Sequence, residues 1–212
     1  FLAARDRHVM IVGDGQMADA KCRGVLKTSA CVTVFADNPS EQTEAWARSG
    51  AITLRAGLPE LGDFKDVALV CAAHHSDHVN DQIAVSAGQK GALVNVLDRT
   101  DACDFITPAI VDRDPVVVAI GTEGSAPVLA RQIKAGIEAM LPADLGRFAR
   151  LANAFRARVQ ALPEGLARRK FWRDAFKPER VVAESSDEVI RQEFEALLER
   201  HMRLEPEQGS VA

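Results

Sequence analysis

Short apolar runs separated by glycine and polar breaks set the pattern of the first hundred positions. Residues 9–12 are apolar and pass at once into Gly13-x-Gly15-x-x-Ala18, after which Met17, Ala20, Gly24 and Val25 recur at the spacing of one helix face. Strand, tight turn and helix therefore follow one another. Residues 31–36 predict a second strand, ending in Asp37-Asn38-Pro39-Ser40, which is turn chemistry and a helix start, and 40–49 predict the helix itself. A third strand is expected over 51–54 and an irregular link over 57–66. Residues 67–73 form a continuous apolar run of the kind buried on both faces of a parallel sheet. A helix over 77–88 and a fifth strand over 91–97 complete an alternation that predicts a doubly wound parallel sheet.

Beyond Asp98 the pattern changes. Residues 103–108 and 115–120 read as strands separated by the charged turn Asp112-Arg113-Asp114. Gly121 to Ser125 make a flexible turn in which Ser125 can cap a helix, with Pro127 in its first turn. That helix is expected over 126–140, with Val128, Leu129, Ile133, Ile137 and Leu141 facing inward. After Pro142, the helical spacing of Leu145, Phe148, Leu151, Ala152 and Phe155 predicts another, and two more are expected over 164–176 and 186–202. The fold class is α/β: a Rossmann-like parallel sheet over 1–98, a small α+β segment over 99–141, a helical C-terminal domain over 142–205 and a polar linker over 206–212.

With 212 residues, 47% of them hydrophobic and 26% charged, the chain can bury a substantial core, and its net charge of −4 carries no signature of a nucleic-acid binder. No apolar run approaches the ~20 residues of a membrane span and no signal-peptide pattern opens it, so no membrane partner is expected. The four cysteines (Cys22, Cys31, Cys71, Cys103) are scattered, which reads as reduced thiols of a cytoplasmic protein, with no metal cluster.

Glycine chemistry gives the first candidate site. In a dinucleotide fold Gly13 allows the sharp turn, Gly15 lets a pyrophosphate approach the backbone, and a small residue at 18 lets the helix lie close to its strand. The amides at the helix start, around Gln16 and Met17, then face the anion. Asp37 stands about 20 residues past the glycines, where an acid holds a ribose hydroxyl and repels a 2′-phosphate; this favours NAD over NADP. The alternative is that Asp37 caps the following helix. Ligands of such sheets sit at the strand ends, which adds Asn38, Ala73 with His74 and His75, and Asn95 to Asp98. His74-His75-x-Asp77-His78 reads as a solvated cap rather than a metal site, because adjacent histidines do not share a helix face.

The second half carries Arg147, Arg150, Arg156, Arg158, Arg168, Arg169, Lys170, Arg173, Lys177 and Arg180, an excess of base in an acidic chain. Much of this is a solvated face. The remainder suits a polyanion, and with no nucleic-acid motif a multiply carboxylated small molecule is favoured over RNA.

Several residues carry a resemblance to a known family. They are Phe1-Leu2 with Arg5-Asp6-Arg7, Val12-Gly-Asp-Gly15, Ala45-Trp46-Ala47, Asn95-Val-Leu-Asp98, Phe105-Ile-Thr-Pro108-Ala-Ile, Asp112-Arg113, Ser125-Ala-Pro-Val-Leu-Ala-Arg131 and Arg169-Lys-Phe-Trp172. Over nearly its whole length the chain resembles the precorrin-2 dehydrogenase/sirohydrochlorin ferrochelatase module of sirohaem synthases. The resemblance implies dehydrogenation of precorrin-2 by NAD to sirohydrochlorin, and insertion of Fe2+, as a substrate, to give sirohaem. It implies a homodimer with its interface on 99–141, a helical domain that lines the tetrapyrrole cleft, Asp98 as the catalytic aspartate, and Ser125, Arg131, Arg147, Arg150 and Arg169 as substrate contacts. It also implies fusion, past residue 212, to a uroporphyrinogen methyltransferase domain. Asp14 departs from the family's glycine-rich turn, and His74-His75-Ser76-Asp77 replaces its usual acidic run. Two other readings compete: a non-catalytic NAD-binding regulatory module, and a dehydrogenase that has lost its chelatase activity.

Overall fold

The computed structural model describes residues 1–177 and 185–204; Arg180 and the linker over 206–212 lie outside the described residues. The chain divides into two compact units. The first is Phe1–Thr107 with Glu123–Ser125, and the second is Pro108–Thr122 with the chain from Ala126 onward.

In the first unit β1 (His8–Val12), β2 (Cys31–Ala36), β3 (Thr53–Ala56), β4 (Val67–Ala72) and β5 (Leu93–Val96) form one sheet in the order β3-β2-β1-β4-β5. Every pairing in it is parallel. The chain runs outward from β1 to β3 and then restarts at β4 on the other side of β1, so the strand order reverses between β1 and β4. Crevices of such sheets open at that reversal. Alternate side chains of β1 go to opposite faces: Met10 and Val12 pack with Phe64, Val70, Ile83 and Val94, and Ile11 packs with Ala18, Cys22, Val34 and Cys71.

Helix α1 (Gly15–Val25) follows the glycine turn, with a different face inward from the expected one. Ala18, Asp19 and Cys22 are buried, while Met17 is 45% exposed and Ala20 and Gly24 face solvent. The inward stripe is thus small and partly polar, which a hydrophobicity pattern does not detect. Asp19 is only 6% exposed. Its carboxylate accepts from Ser40 Oγ at 2.8 Å and Thr43 Oγ1 at 2.7 Å. Ser40 also caps α2 (Glu41–Arg48), accepting from Thr43 N at 3.0 Å, so Asp37 is not the cap. Asp19→Ala should therefore lower stability by about 1–3 kcal/mol through two hydroxyls left without their acceptor; a wild-type urea midpoint in that variant would remove Asp19 from the account.

Three stretches differ in detail from expectation. The third strand starts two residues late because Gly50 N and Ala51 N still bond back to Ala47 O and Trp46 O of α2. The link over 57–66 holds a single 3-10 turn, Leu61–Phe64, whose Phe64 fills the core, and α3 (Asp77–Gln89) follows β4 as expected. Residues 103–108 are not a strand. Asp104 takes the place of a ladder beside β5, donating its N–H to Val94 O at 2.8 Å and accepting from Val94 N through Oδ2 at 2.9 Å.

The second unit begins with an antiparallel hairpin, β6 (Ala109–Arg113) and β7 (Val116–Ile120), joined through a cis Asp114–Pro115 bond. Asp112 and Arg113 accordingly lie in β6 rather than in the turn. Helix α4 (Pro127–Met140) has Ala126 as its N-cap, so Pro127 is its first residue and Ser125 lies one position outside. Its apolar stripe does not face inward as expected. Val128 is 59% and Leu129 50% exposed, Ile133 is also exposed, and Ala130 is the buried residue. Helix α5 (Leu145–Val159), α6 (Leu166–Ala175) and α7 (Asp187–Leu204) enclose a separate core of Phe148, Phe155, Phe171, Phe194 and Leu197. Phe194 meets Phe148 edge-on at 5.5 Å between ring centres. The hydrogen bond from Lys177 holds the Asp174 carboxyl below its ordinary pKa, and His201, at 3.1 Å, acts in the same direction.

Candidate functional site

Strand ends at the β1/β4 reversal bring Gly13 against Ala73 and His74, and Asp14 against Asn38. Gly13 has φ 144°, and a Cβ there would lie 2.2 Å from Ala73 O, so the ends of β1 and β4 touch through bare backbone. Gly15, at φ +64°, has open space where its Cβ would be. The first turn of α1 carries no acid, and its N-cap, Asp14, makes no side-chain bond to it. Asp14 Oδ1 instead accepts from Asn38 N at 2.8 Å. The carboxylate is thereby directed to the loop after β2, away from the helix amides. An uncapped helix start beside an open glycine is what a pyrophosphate requires, so the residues present fit a dinucleotide. Gln16 and Met17 are exposed on that turn, and Asp37 is exposed just past β2.

Around β4 and β5 the polar residues brace one another. Ala73 is buried, and so is His74, contrary to the solvated cap expected of it. His74 N donates to Asn80 Oδ1 at 3.0 Å, Asn80 Nδ2 donates to His74 O at 2.9 Å, and Ser76 N donates to His74 Nδ1 at 3.1 Å. His75 and His78 are exposed. Among the described residues no group of three or more His, Cys, Asp or Glu side chains could hold a metal ion. Asn95 is engaged at both ends of its amide: Oδ1 accepts from Lys21 Nζ at 2.7 Å, and Nδ2 donates to Phe105 O at 2.9 Å. Both ends of the side chain are thus held by neighbouring protein groups. Lys21 also donates to Thr107 Oγ1 at 3.2 Å. Sequence reasoning missed Lys21 and Asn80, since partners far apart in the chain leave no local signal.

Asp98 follows β5 with φ 56°, a left-handed conformation that short polar side chains tolerate best. It is exposed, and no hydrogen bond or ion pair holds its carboxylate among the described residues. A free carboxylate at a strand end can accept a proton. The buried thiols cannot act: burial pushes Cys22 up to about 12 and Cys71 upward as well.

The bases of the second unit differ in their engagement. Arg147 pairs with Asp187 at 3.2 Å and donates to Ser185 O, and Arg150 pairs with Asp114 at 3.1 Å and donates to its carbonyl. Arg131 and Arg169 are exposed and make no ion pair among the described residues, while Ser125 is exposed at the start of the segment leading to α4. A cavity of about 690 Å³ lies within this unit, lined by Pro115, Ala149, Arg150, Ala152, Asn153, Ala154, Arg156, Trp172 and Phe176. Trp172 and Phe176 stack with centres 5.6 Å apart and planes 25° apart. Flat aromatic walls with two guanidinium groups suit a planar anion. No helix among the described residues is long and apolar enough to cross a membrane.

Comparison with known proteins agrees with this geometry. Residues 1–109 match the family model described as putative NAD(P)-binding, and residues 144–202 match the sirohaem synthase dimerisation region. "Siroheme synthase 1" of Aeromonas hydrophila is 42% identical over 186 residues, covering 87% of this chain and 40% of that protein. "Siroheme synthase" of Methylococcus capsulatus is 41% identical over 208 residues, covering 91% of this chain and 44% of that protein. The chain thus spans about two fifths of the length of these curated relatives. The solved structure of SirC, a precorrin-2 dehydrogenase, shares the fold with a TM-score of 0.76 at 20% identity, over 92% of this chain and 98% of that one. The chain belongs to the putative NAD(P)-binding family, in the form in which that domain is followed by a sirohaem synthase dimerisation region.

Proposed function

We propose that this chain is an NAD-dependent precorrin-2 dehydrogenase that yields sirohydrochlorin, and that insertion of Fe2+, as a substrate, to give sirohaem takes place on the same polypeptide. One observation carries the reading. A single unit holds both an uncapped helix start beside the open Gly15 and, on the loop after β5, the Asp98 carboxylate, unpaired among the described residues.

NAD, when bound, supplies the hydride acceptor. Gly13, Gly15, Gln16 and Met17 offer the backbone that would hold its pyrophosphate, and Ala73 closes the turn behind them. Asp37, with Asn38 beside it, would hold the ribose hydroxyls and exclude a 2′-phosphate. Wild-type protein should therefore bind NADP roughly tenfold or more weakly than NAD, and Asp37→Ser should narrow that gap; equal dissociation constants for the two in the wild type would contradict the assignment. Asp98 would take the proton that leaves when the substrate loses a hydride, and would assist the pyrrolic protons to leave when iron enters.

The substrate is a planar ring bearing many carboxylates. Arg131 and Arg169, without acid partners among the described residues, would pair with them, as would Arg156 at the cavity; the Ser125 hydroxyl is proposed as a further contact. Arg147 and Arg150 would do so only by exchanging Asp187 and Asp114. The uncovered apolar face of α4, with Ile110 and Val117 of the hairpin also exposed, supports a homodimer in which 99–141 contributes to the interface beside the matched region at 144–202. The relatives' greater length supports a further domain, proposed as the uroporphyrinogen methyltransferase. Free thiols at Cys22, Cys31, Cys71 and Cys103 suit a cytoplasmic enzyme. Anaerobically generated precorrin-2 with NAD should give sirohydrochlorin and NADH, and Fe2+ should then convert the product to sirohaem. No NADH from authentic substrate contradicts the dehydrogenase; no sirohaem contradicts the chelatase alone.

A further inference from the structure

We infer that Cys103 is a positioning residue for Asp98, its thiol clasping both ends of the turn that carries the acid. The inference rests on the reading of Asp98 as the proton acceptor.

Asp98 occupies the left-handed region, at φ 56°, so the loop around it must hold a backbone conformation that the chain does not favour unaided. Backbone bonds hold the flanks, Leu97 N donating to Ala72 O at 2.9 Å and Ala102 N to Arg99 O at 3.2 Å, but across the turn Arg99 N reaches Val96 O only at 3.4 Å, long for such a bond. Sulfur supplies the rest. Cys103 Sγ accepts from Val96 N at 3.1 Å and stands 3.2 Å from Val96 O and 3.1 Å from Arg99 O. Its single proton serves one carbonyl at a time, and either choice ties Cys103 to a residue flanking Leu97 and Asp98. Asn95 Nδ2 supports the sulfur at 3.5 Å, and the Lys21 bond at 2.7 Å fixes that amide. Asp104 anchors the next residue by its paired bonds to Val94.

The thiol thus reaches three backbone groups across a span fitted to sulfur's long bonds and large radius. A serine oxygen, on shorter bonds, reaches part of that set, and alanine reaches none. The hydrogen-bond partners of Cys103 Sγ are the backbone of Val96 and Arg99 and the Asn95 amide, so an effect on kcat at unchanged NAD binding would run through the turn that carries Asp98.

A double-mutant cycle with Asp98→Asn tests this, reading kcat for NAD-dependent dehydrogenation together with the NAD dissociation constant. Cys103→Ala should lower kcat roughly tenfold through a misplaced acid while NAD binding and its stoichiometry stay unchanged. Cys103→Ser should recover part of the loss. Added to Asp98→Asn, neither substitution should lower kcat further. Multiplying losses, or wild-type kcat in Cys103→Ala, overturns the inference alone. A wild-type rate in Asp98→Asn overturns the reading of the site and this inference with it. Should the alanine variant fail to bind NAD at full stoichiometry, Cys103→Ser carries the same cycle, with additive losses overturning the inference.

Discussion

Alanine at position 13 is expected to abolish NAD binding and to lower the stability of the first unit by about 3 kcal/mol or more. Two effects add. At φ 144° an L side chain is strained whatever the space, and the new Cβ would lie 2.2 Å from Ala73 O, 2.4 Å from Ala73 C and 2.9 Å from His74 N. None of these atoms can swing aside. Gly13 N is bonded to Phe35 O at 2.9 Å, Ala73 N to Val12 O at 2.8 Å, and His74 is pinned on both sides of its peptide by Asn80. Relief would require the ends of β1 and β4 to part. Gly15→Ala makes the contrast. Its Cβ meets nothing within 4 Å, so the cost is the left-handed backbone alone, about 1 kcal/mol, and the fold should survive. NAD should still bind weakly, because the added methyl stands where a phosphate must approach. Urea midpoints and NAD titrations of the two variants separate these effects; a wild-type midpoint in Gly13→Ala would contradict the packing at the strand reversal.

Asp98→Asn is expected to lower kcat for precorrin-2 oxidation roughly a hundredfold or more, the usual scale for loss of a positioned base. Asparagine suits this test better than alanine. It tolerates φ 56° as aspartate does and keeps the shape, so only the charge and the proton-accepting oxygen are lost. Alanine would add backbone strain and confuse the two causes. The NAD dissociation constant should stay unchanged in Asp98→Asn. Turnover at the wild-type rate would remove Asp98 from the mechanism and leave the strand-end site as a binding site only.

The parts of the fold legible in the sequence are those whose signal is local. Residues 9–12 and 67–72 are apolar throughout because their strands are buried on both faces, and Ser40 caps its helix through its own next turn. The glycine turn was legible because a close backbone approach and a left-handed φ both select glycine. Other features depend on partners distant in the chain. The inward face of α1 was misread since a buried Asp19, satisfied by Ser40 and Thr43, looks polar in isolation. Residues 103–108 resemble a strand in composition, yet Asp104's own carboxylate completes the pairing with Val94 and the chain then departs. The stripe on α4 has the right period, but periodicity says that a face seeks cover and not what covers it. Within the site, glycines and acids at strand ends were readable from spacing, whereas Lys21 with Asn95 and the sulfur clasp at Cys103 were not. The arginines could be counted from the sequence; which of them are already held by Asp114 and Asp187 could not.

The most direct measurement is a crystal structure of the chain with NAD bound. The account predicts the pyrophosphate against the amides of Gly15 and Gln16, a ribose on Asp37, and the nicotinamide beside the Asp98 carboxylate. A dinucleotide seated elsewhere, or a nicotinamide remote from Asp98, would contradict it.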